Sequence, residues 1–138
     1  MQRPDLYHAV VTEVPFVDVL HTMCDANLPL TELEYRQWGD PHLEQYFNYL
    51  KSYAPYENVR ATNYPHMLVW VGWQDSRVPY WEGTKWVAKL RTHQTGTAPI
   101  LLYVDKTASH GGASGRYQRW QETAFRLAYM IGVSQVSR

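Results

Sequence analysis

Apolar residues occur along this chain in two rhythms, and each rhythm predicts a different kind of element. Continuous short runs mark strands. His8 to Val14 is rich in valine and stops at Pro15, which reads as a strand followed by a loop or short helix around Phe16 to Cys24. Met67 to Trp73 is an unbroken apolar run bounded by Pro65 and by the polar turn Gln74-Asp75-Ser76-Arg77, the pattern of a strand buried on both faces of a parallel sheet. After a turn at Thr95 to Ala98, Ile100 to Val104 predicts a third apolar strand.

The segments between these runs carry helical spacing instead. Pro29 and Thr31 open a short helix to Trp38, with Thr31 and Glu34 at the spacing of a capping box, before the turn Gly39-Asp40-Pro41. A second helix is expected from Pro41 to about Tyr53, with Leu43, Phe47 and Leu50 on one face, ended by Pro55. A third begins at Pro79 and places Tyr80, Gly83, Val87 and Leu90 on the stripe that would lie on the sheet. A glycine-rich loop at 109 to 115 then leads to a last helix carrying Trp120, Ala124, Leu127 and Ile131 on one side.

Strands alternating with helices, with continuous rather than alternating apolar strands, predict an α/β fold: about three parallel strands with flanking helices. No repeat, low-complexity tract or long Gly/Ser linker divides the chain, so residues 1–138 are read as one unit. Ligands of such sheets sit beyond the carboxyl ends of the strands. Those ends lead into the loops Gln74 to Arg77 and Thr107 to Gly112, which therefore open on the same rim.

Composition narrows the classes of partner. Across 138 residues, 13 basic side chains cancel 13 acidic ones, leaving no basic footprint for nucleic acid or an anionic membrane. Cys24 stands alone and cannot close an internal disulfide, so a reducing compartment, the cytosol, is expected. The longest apolar runs fall far short of the roughly 20 residues that span a bilayer, and the start Met-Gln-Arg-Pro-Asp lacks the pattern of a secretory signal. Six Trp and eleven Tyr exceed what a small core requires, which points to aromatic residues lining a surface or pocket. Trp70, Trp73, Trp81 and Trp86 are read as packing between helix and sheet.

Two residues suggest chemistry. Asp75 follows the second strand and His110 the third, the order and placement of acid and histidine in an α/β-hydrolase triad. There a carboxylate holds one imidazole tautomer and stabilises the imidazolium formed when histidine takes the nucleophile's proton. Each residue also has a plainer reading, Asp75 as a turn cap and His110 as a loop residue beside two glycines. No Gly-x-Ser-x-Gly elbow occurs, and Ser76, Ser109 and Ser114 sit beside the acid and base rather than on a separate strand-to-helix turn. Cys24, in Thr-Met-Cys-Asp, reads as a buried or incidental thiol. His8, His21, His42, His66 and His93 lack metal-ligand spacing, and neither metal nor cofactor is expected. The stretch His110 to Arg116 has the ingredients of an anion cradle, which keeps a phosphate-binding module as a weaker alternative.

Longer stretches carry a resemblance. Glu-Val-Pro-Phe-Val-Asp-Val at 13 to 19, Leu-Pro-Leu-Thr at 28 to 31, Lys-Ser-Tyr-Ala-Pro-Tyr-Glu-Asn-Val at 51 to 59, Asp-Ser-Arg-Val-Pro-Tyr-Trp-Glu at 75 to 82, Lys-Trp-Val-Ala-Lys-Leu-Arg at 85 to 91 and His-Gly-Gly-Ala-Ser-Gly-Arg at 110 to 116 occur in order. The chain thereby resembles the C-terminal half of the peptidase domain of the prolyl oligopeptidase family, specifically its oligopeptidase B branch. The resemblance implies the C-terminal half of an α/β-hydrolase domain and a serine peptidase acting on short peptides, with Asp75 as triad acid and His110 as general base. It also implies that the nucleophilic serine, in a Gly-Gly-Ser-Ala-Gly-Gly elbow, lies shortly before Met1, on an upstream or separate segment. Residues 1–138 would then lack the elbow, the oxyanion hole and the N-terminal β-propeller, and would be inactive alone. A non-catalytic remnant is the corresponding alternative, with a sheet edge near Val10 to Val14 that would drive self-association.

Two departures from the family pattern matter. Oligopeptidase B enzymes cleave after Lys or Arg and read that side chain with two acids in Glu-aromatic-Glu-Glu-Trp-Gly. The same segment here is Glu34-Tyr35-Arg36-Gln37-Trp38-Gly39, which makes Glu34 and Arg36 the candidate substrate-binding residues and puts a cation in place of the second acid. Two like charges about 4 Å apart at an effective dielectric near 20 repel by roughly 4 kcal/mol, enough to erode a basic preference. The family's glycine before the histidine is Ser109 here. A positive φ at that position would strain a serine by about 1 kcal/mol and displace the loop. Gly111, Gly112 and Gly115 are expected to shape that loop, with Arg116 anchoring it through hydrogen bonds.

Overall fold

Three parallel strands lie side by side in chain order: β1 (Ala9–Glu13), β2 (His66–Gly72) and β3 (Ile100–Asp105). The computed structural model describes residues 3–135. A short 3-10 turn at Pro4–Leu6 precedes β1. Helices α1 (Val19–Cys24), α2 (Thr31–Trp38) and α3 (Glu44–Tyr53) connect β1 to β2, α4 (Tyr80–His93) connects β2 to β3, and α5 (Arg116–Ser134) closes the sequence of elements. Among the described residues no helix is long and apolar enough to cross a membrane.

The apolar run of β2 fits its place as the central strand, with every residue from Met67 to Gly72 buried. Val11 registers with Leu68, and Leu68 in turn with Leu101. On one face Met67, Val69 and Val71 pack with Val87 and Leu90 of α4. Gly83 permits that approach, since a Cβ there would stand 2.5 Å from Val71 Cγ1. On the other face Trp70 stacks on Tyr103 at 4.1 Å and meets Phe125 of α5 edge-on. A second core gathers Val19, Leu20, Met23, Leu50 and Ala54 between α1 and α3. Burying each such aliphatic side chain contributes about 1.5–3 kcal/mol.

A buried acid joins the layers. Glu82 on α4 is fully buried, and its carboxylate accepts the Val17 and Asp18 N–H groups at 3.0 and 2.9 Å and the Thr22 hydroxyl at 2.6 Å. Burial pushes its carboxyl above the ordinary range, and these hydrogen bonds only partly offset that.

Several expectations from the sequence need correction. Thr31 is the first residue of α2 rather than its cap; the cap is Leu30, in the left-handed region at φ 75°, and the Glu34 carboxylate accepts the Trp38 indole N–H at 3.2 Å. The second helix starts at Glu44 rather than Pro41, and of Leu43, Phe47 and Leu50 only Leu50 is buried. Trp70 and Trp86 pack as expected, but Trp73 and Trp81 are exposed. On α5 the apolar side is the outer one, with Trp120, Leu127 and Ile131 each more than half exposed. The inner side runs through Glu122, Arg126, Tyr129 and Val133, where a hydrogen bond from the Ala113 N–H, an ion pair to Glu13 and a contact of His8 with the Val133 carbonyl add to the packing of Phe125 on Trp70.

Candidate active site at the carboxyl ends of the strands

The acid loop begins where β2 ends. The Asp75 N–H donates to the Gly72 carbonyl at 3.2 Å, forming a turn that brings the carboxylate back over its own chain. One oxygen, Oδ1, accepts the Arg77 and Val78 N–H groups at 2.8 and 2.9 Å. The other, Oδ2, meets Nδ1 of His110 at 2.9 Å. One carboxylate oxygen of Asp75 therefore caps the turn while the other meets the imidazole. An ionised carboxylate only accepts, so Nδ1 of His110 is the donor and the neutral ring carries its basic lone pair on Nε2. The Asp75 side chain is completely buried and that of His110 is partly open to solvent.

The base loop is held from its start. Oδ1 of Asp105 accepts the Thr107 N–H, the Thr107 hydroxyl and the Ala108 N–H, at 2.8, 2.8 and 3.0 Å. Burial alone would raise the Asp105 carboxyl, yet these hydrogen bonds, with a further one from the Glu122 side chain, outweigh it and hold the group below the ordinary carboxylate range. The two loops are also bonded to each other, Trp73 N–H to the Asp105 carbonyl at 2.8 Å and Gln74 N–H to the Ala108 carbonyl at 3.1 Å. Gly72 makes the approach possible: a Cβ there would stand 2.7 Å from the Ala108 carbonyl oxygen. Ser109 does not adopt a positive φ, contrary to the expectation of strain. The left-handed residues of the loop are Gly112 and Gly115, at φ 83° and 107°. Its hydrogen-bonding arginine is Arg119, whose Nε donates to the Ala113 carbonyl at 3.3 Å, whereas Arg116 lies over the Tyr117 and Trp120 rings.

His110 opens onto a cavity of about 280 Å³ that Glu13, Val14, Gly72 and Arg126 also line. Val14, at the end of β1, holds φ 39°, a strained value for a β-branched residue, and its N–H donates to the Trp70 carbonyl at 2.8 Å. Arg126 pairs with Glu13 at 3.0 Å across the mouth. A larger cavity of about 510 Å³ opens at the other end of the sheet, beside His8, Asn63 and His66, away from the acid and base loops.

Other candidate residues lie apart from this pair. Glu34 and Arg36 sit on α2, Arg36 exposed and Glu34 bound to Trp38, and neither lines the cavity that His110 lines. Cys24 is exposed rather than buried; partial desolvation, then the charges of Asp40 and Glu57, push its thiol up and away from thiolate chemistry. Sequence spacing concealed one cluster, Asp18, His21 and Glu57, whose ligand atoms lie within 4.8 Å of one another and could hold a metal ion. Its polar atoms already meet one another: His21 Nδ1 faces Asp18 Oδ1 at 2.6 Å and Glu57 Oε1 at 3.3 Å, and the Lys85 ammonium pairs with the second oxygen of Asp18.

Comparison with known proteins bears on the same residues. The model of the prolyl oligopeptidase family matches residues 1–136. The chain is 44% identical over 128 residues to dipeptidyl aminopeptidase BI of Pseudoxanthomonas mexicana, covering 93% of this chain and 18% of that one. It is 43% identical over 127 residues to Protease 2 of Moraxella lacunata, covering 92% and 18%. Among solved structures, oligopeptidase B from Leishmania major superposes with a TM-score of 0.93 at 45% identity, over 96% of this chain and 18% of that one. Oligopeptidase B from Trypanosoma brucei with covalently bound antipain also gives 0.93, at 43% identity, over 99% and 19%. The chain thus spans about a fifth of the length of the relatives it matches.

Proposed function

This chain belongs to the prolyl oligopeptidase family, and from that premise we propose that it furnishes the acid and the general base of a serine-type peptidase acting on short peptides. The observation that carries the reading is the hydrogen bond between Asp75 Oδ2 and His110 Nδ1, made by a buried carboxylate whose other oxygen is fixed by two backbone N–H groups. An imidazole held in that tautomer offers Nε2 to a serine hydroxyl. As Nε2 takes the proton, Oγ bonds to the substrate carbonyl carbon; the imidazolium then gives the proton to the departing amine as the C–N bond breaks, and water removes the acyl group by the same route. The sequence contains no Gly-x-Ser-x-Gly, so the serine comes from outside residues 1–138.

For substrate choice, Glu34 is the group that reads a basic side chain, and Arg36 weakens that preference by like-charge repulsion. An anion cradle at His110 to Arg116 is the poorer reading, because the Ala113 N–H already donates to a carboxylate, that of Glu122.

The test is a chimera in which residues 1–138 replace the corresponding segment of the Pseudoxanthomonas mexicana relative. Turnover of an arginyl or lysyl amide is expected, falling about 10⁴-fold or more with His110→Ala. Turnover unchanged by that substitution would defeat the assignment.

A further inference from the structure

We propose that Glu122 of α5 is a positioning residue for His110, fixing the far end of the base loop through Ala113. The proposal rests on the reading of His110 as general base.

The loop between His110 and α5 contains Gly111, Gly112 and Gly115 among its five residues. Such a segment has little conformational preference of its own, and ordering it has a high entropic cost. Its upstream end is secured by Asp105 and by the bond between the Gln74 N–H and the Ala108 carbonyl. Downstream, both backbone polar groups of Ala113 are taken by side chains one helical turn apart. Oε1 of Glu122 accepts the Ala113 N–H at 2.8 Å, and Nε of Arg119 donates to the Ala113 carbonyl. Oε2 of Glu122 stands 2.8 Å from where a Cβ on Gly112 would lie, so the carboxylate also occupies the space beneath the left-handed glycine. Glu122 is buried, yet Trp120, Leu127 and Ile131 of the same helix are exposed. Alongside the packing of Phe125 on Trp70 and the Arg126–Glu13 pair, the carboxylate is thus one of the few inward contacts of this helix, and it is spent on the loop. Glu122 and His110 line the same cavity, which places the clamp beside the base.

The proposal is tested in two settings. In the isotopically labelled chain, proton NMR reads the His110 Nδ1 proton, sheltered from exchange by its bond to Asp75. Glu122→Ala is expected to broaden or abolish that resonance, and Glu122→Gln, which keeps an acceptor for the Ala113 N–H, to restore most of it. In the chimera, Glu122→Ala is expected to lower kcat by about 10²-fold, the scale of a misplacement near 1 Å, with KM changed less than about twofold. If the alanine variant does not fold, Glu122→Asp keeps a carboxyl group and draws it back by one methylene, with the same direction of change expected. A folded Ala or Asp variant that retains the His110 resonance and wild-type kcat, losing only thermal stability, would overturn the proposal. Absence of turnover in the wild-type chimera would instead sink the peptidase reading, and the NMR comparison would still decide the role of Glu122.

Discussion

His110 Nδ1 stands 2.9 Å from Asp75 Oδ2, and the remaining oxygen of that carboxylate is committed to the Arg77 and Val78 amides. Asp75→Asn should therefore leave the turn nearly intact while reversing the message to the imidazole. The amide oxygen can go on accepting the two N–H groups, which turns the NH₂ toward His110 and forces its proton onto Nε2. In the chimera kcat is expected to fall about 10⁴-fold with a melting temperature within a few degrees of wild type. A variant that keeps its activity would show that the tautomer of His110 does not matter.

Gly72 lets the acid and base loops touch, and Gly72→Ala should force them apart. The added methyl would come within 2.7 Å of the Ala108 carbonyl oxygen, a backbone atom with no flexible side chain to yield. A loss of about 1–3 kcal/mol in denaturant unfolding is expected, accompanied by reduced turnover in the chimera. Wild-type values for both would mean that the contact is easily relieved.

Glu82 links α4 to the segment entering α1, and its response to pH has a definite sign. Burial raises its carboxyl above the ordinary value, so the folded chain holds this proton more tightly than the unfolded chain does. The associated stability is full below the unfolded carboxyl's range and is lost as pH rises through the raised, folded value. Glu82→Gln removes that loss and can still accept both N–H groups through one oxygen. Unfolding free energy measured from acid to neutral pH should thus fall less steeply in the variant. Glu82→Ala strands two buried N–H groups and is expected to cost about 2–4 kcal/mol throughout. Parallel profiles for wild type and Glu82→Gln would contradict the assignment.

Arg36 carries the specificity argument. Arg36→Glu in the chimera replaces a cation by an acid two residues from Glu34 on α2 and should raise kcat/KM for an arginyl amide by about 10-fold, a gain of about 1.4 kcal/mol. An uncharged P1 substrate serves as control. Equal effects on both substrates would remove Glu34 and Arg36 from the specificity reading.

The parallel α/β order was legible because β2 is a continuous apolar run and because Asp75 and His110 each follow a strand. The pairing of Asp75 with His110 was legible from that order together with the family resemblance. Three features escaped. The inward side of α5 could not be found by counting apolar residues, since Glu122 and Arg126 face inward and Trp120 and Leu127 outward. Nothing in the apolar pattern singled out Glu122; its phase with Arg126, Tyr129 and Val133 was the available signal. The capping box at Thr31 and Glu34 failed because Leu30 takes the left-handed conformation and Trp38 offers Glu34 a nearer donor. In the Asp18, His21 and Glu57 cluster the first two stand three residues apart at the start of α1, but Glu57 comes from a distant segment, and an Asp–His pair alone does not announce a site.

The most direct test of the Asp75 and His110 pairing is a double-mutant cycle on kcat in the chimera, comparing Asp75→Asn, His110→Ala and the two together. Residues acting as one unit give a double variant no slower than His110→Ala alone. Losses that multiply, so that the double variant falls by the product of the two single effects, would contradict the account.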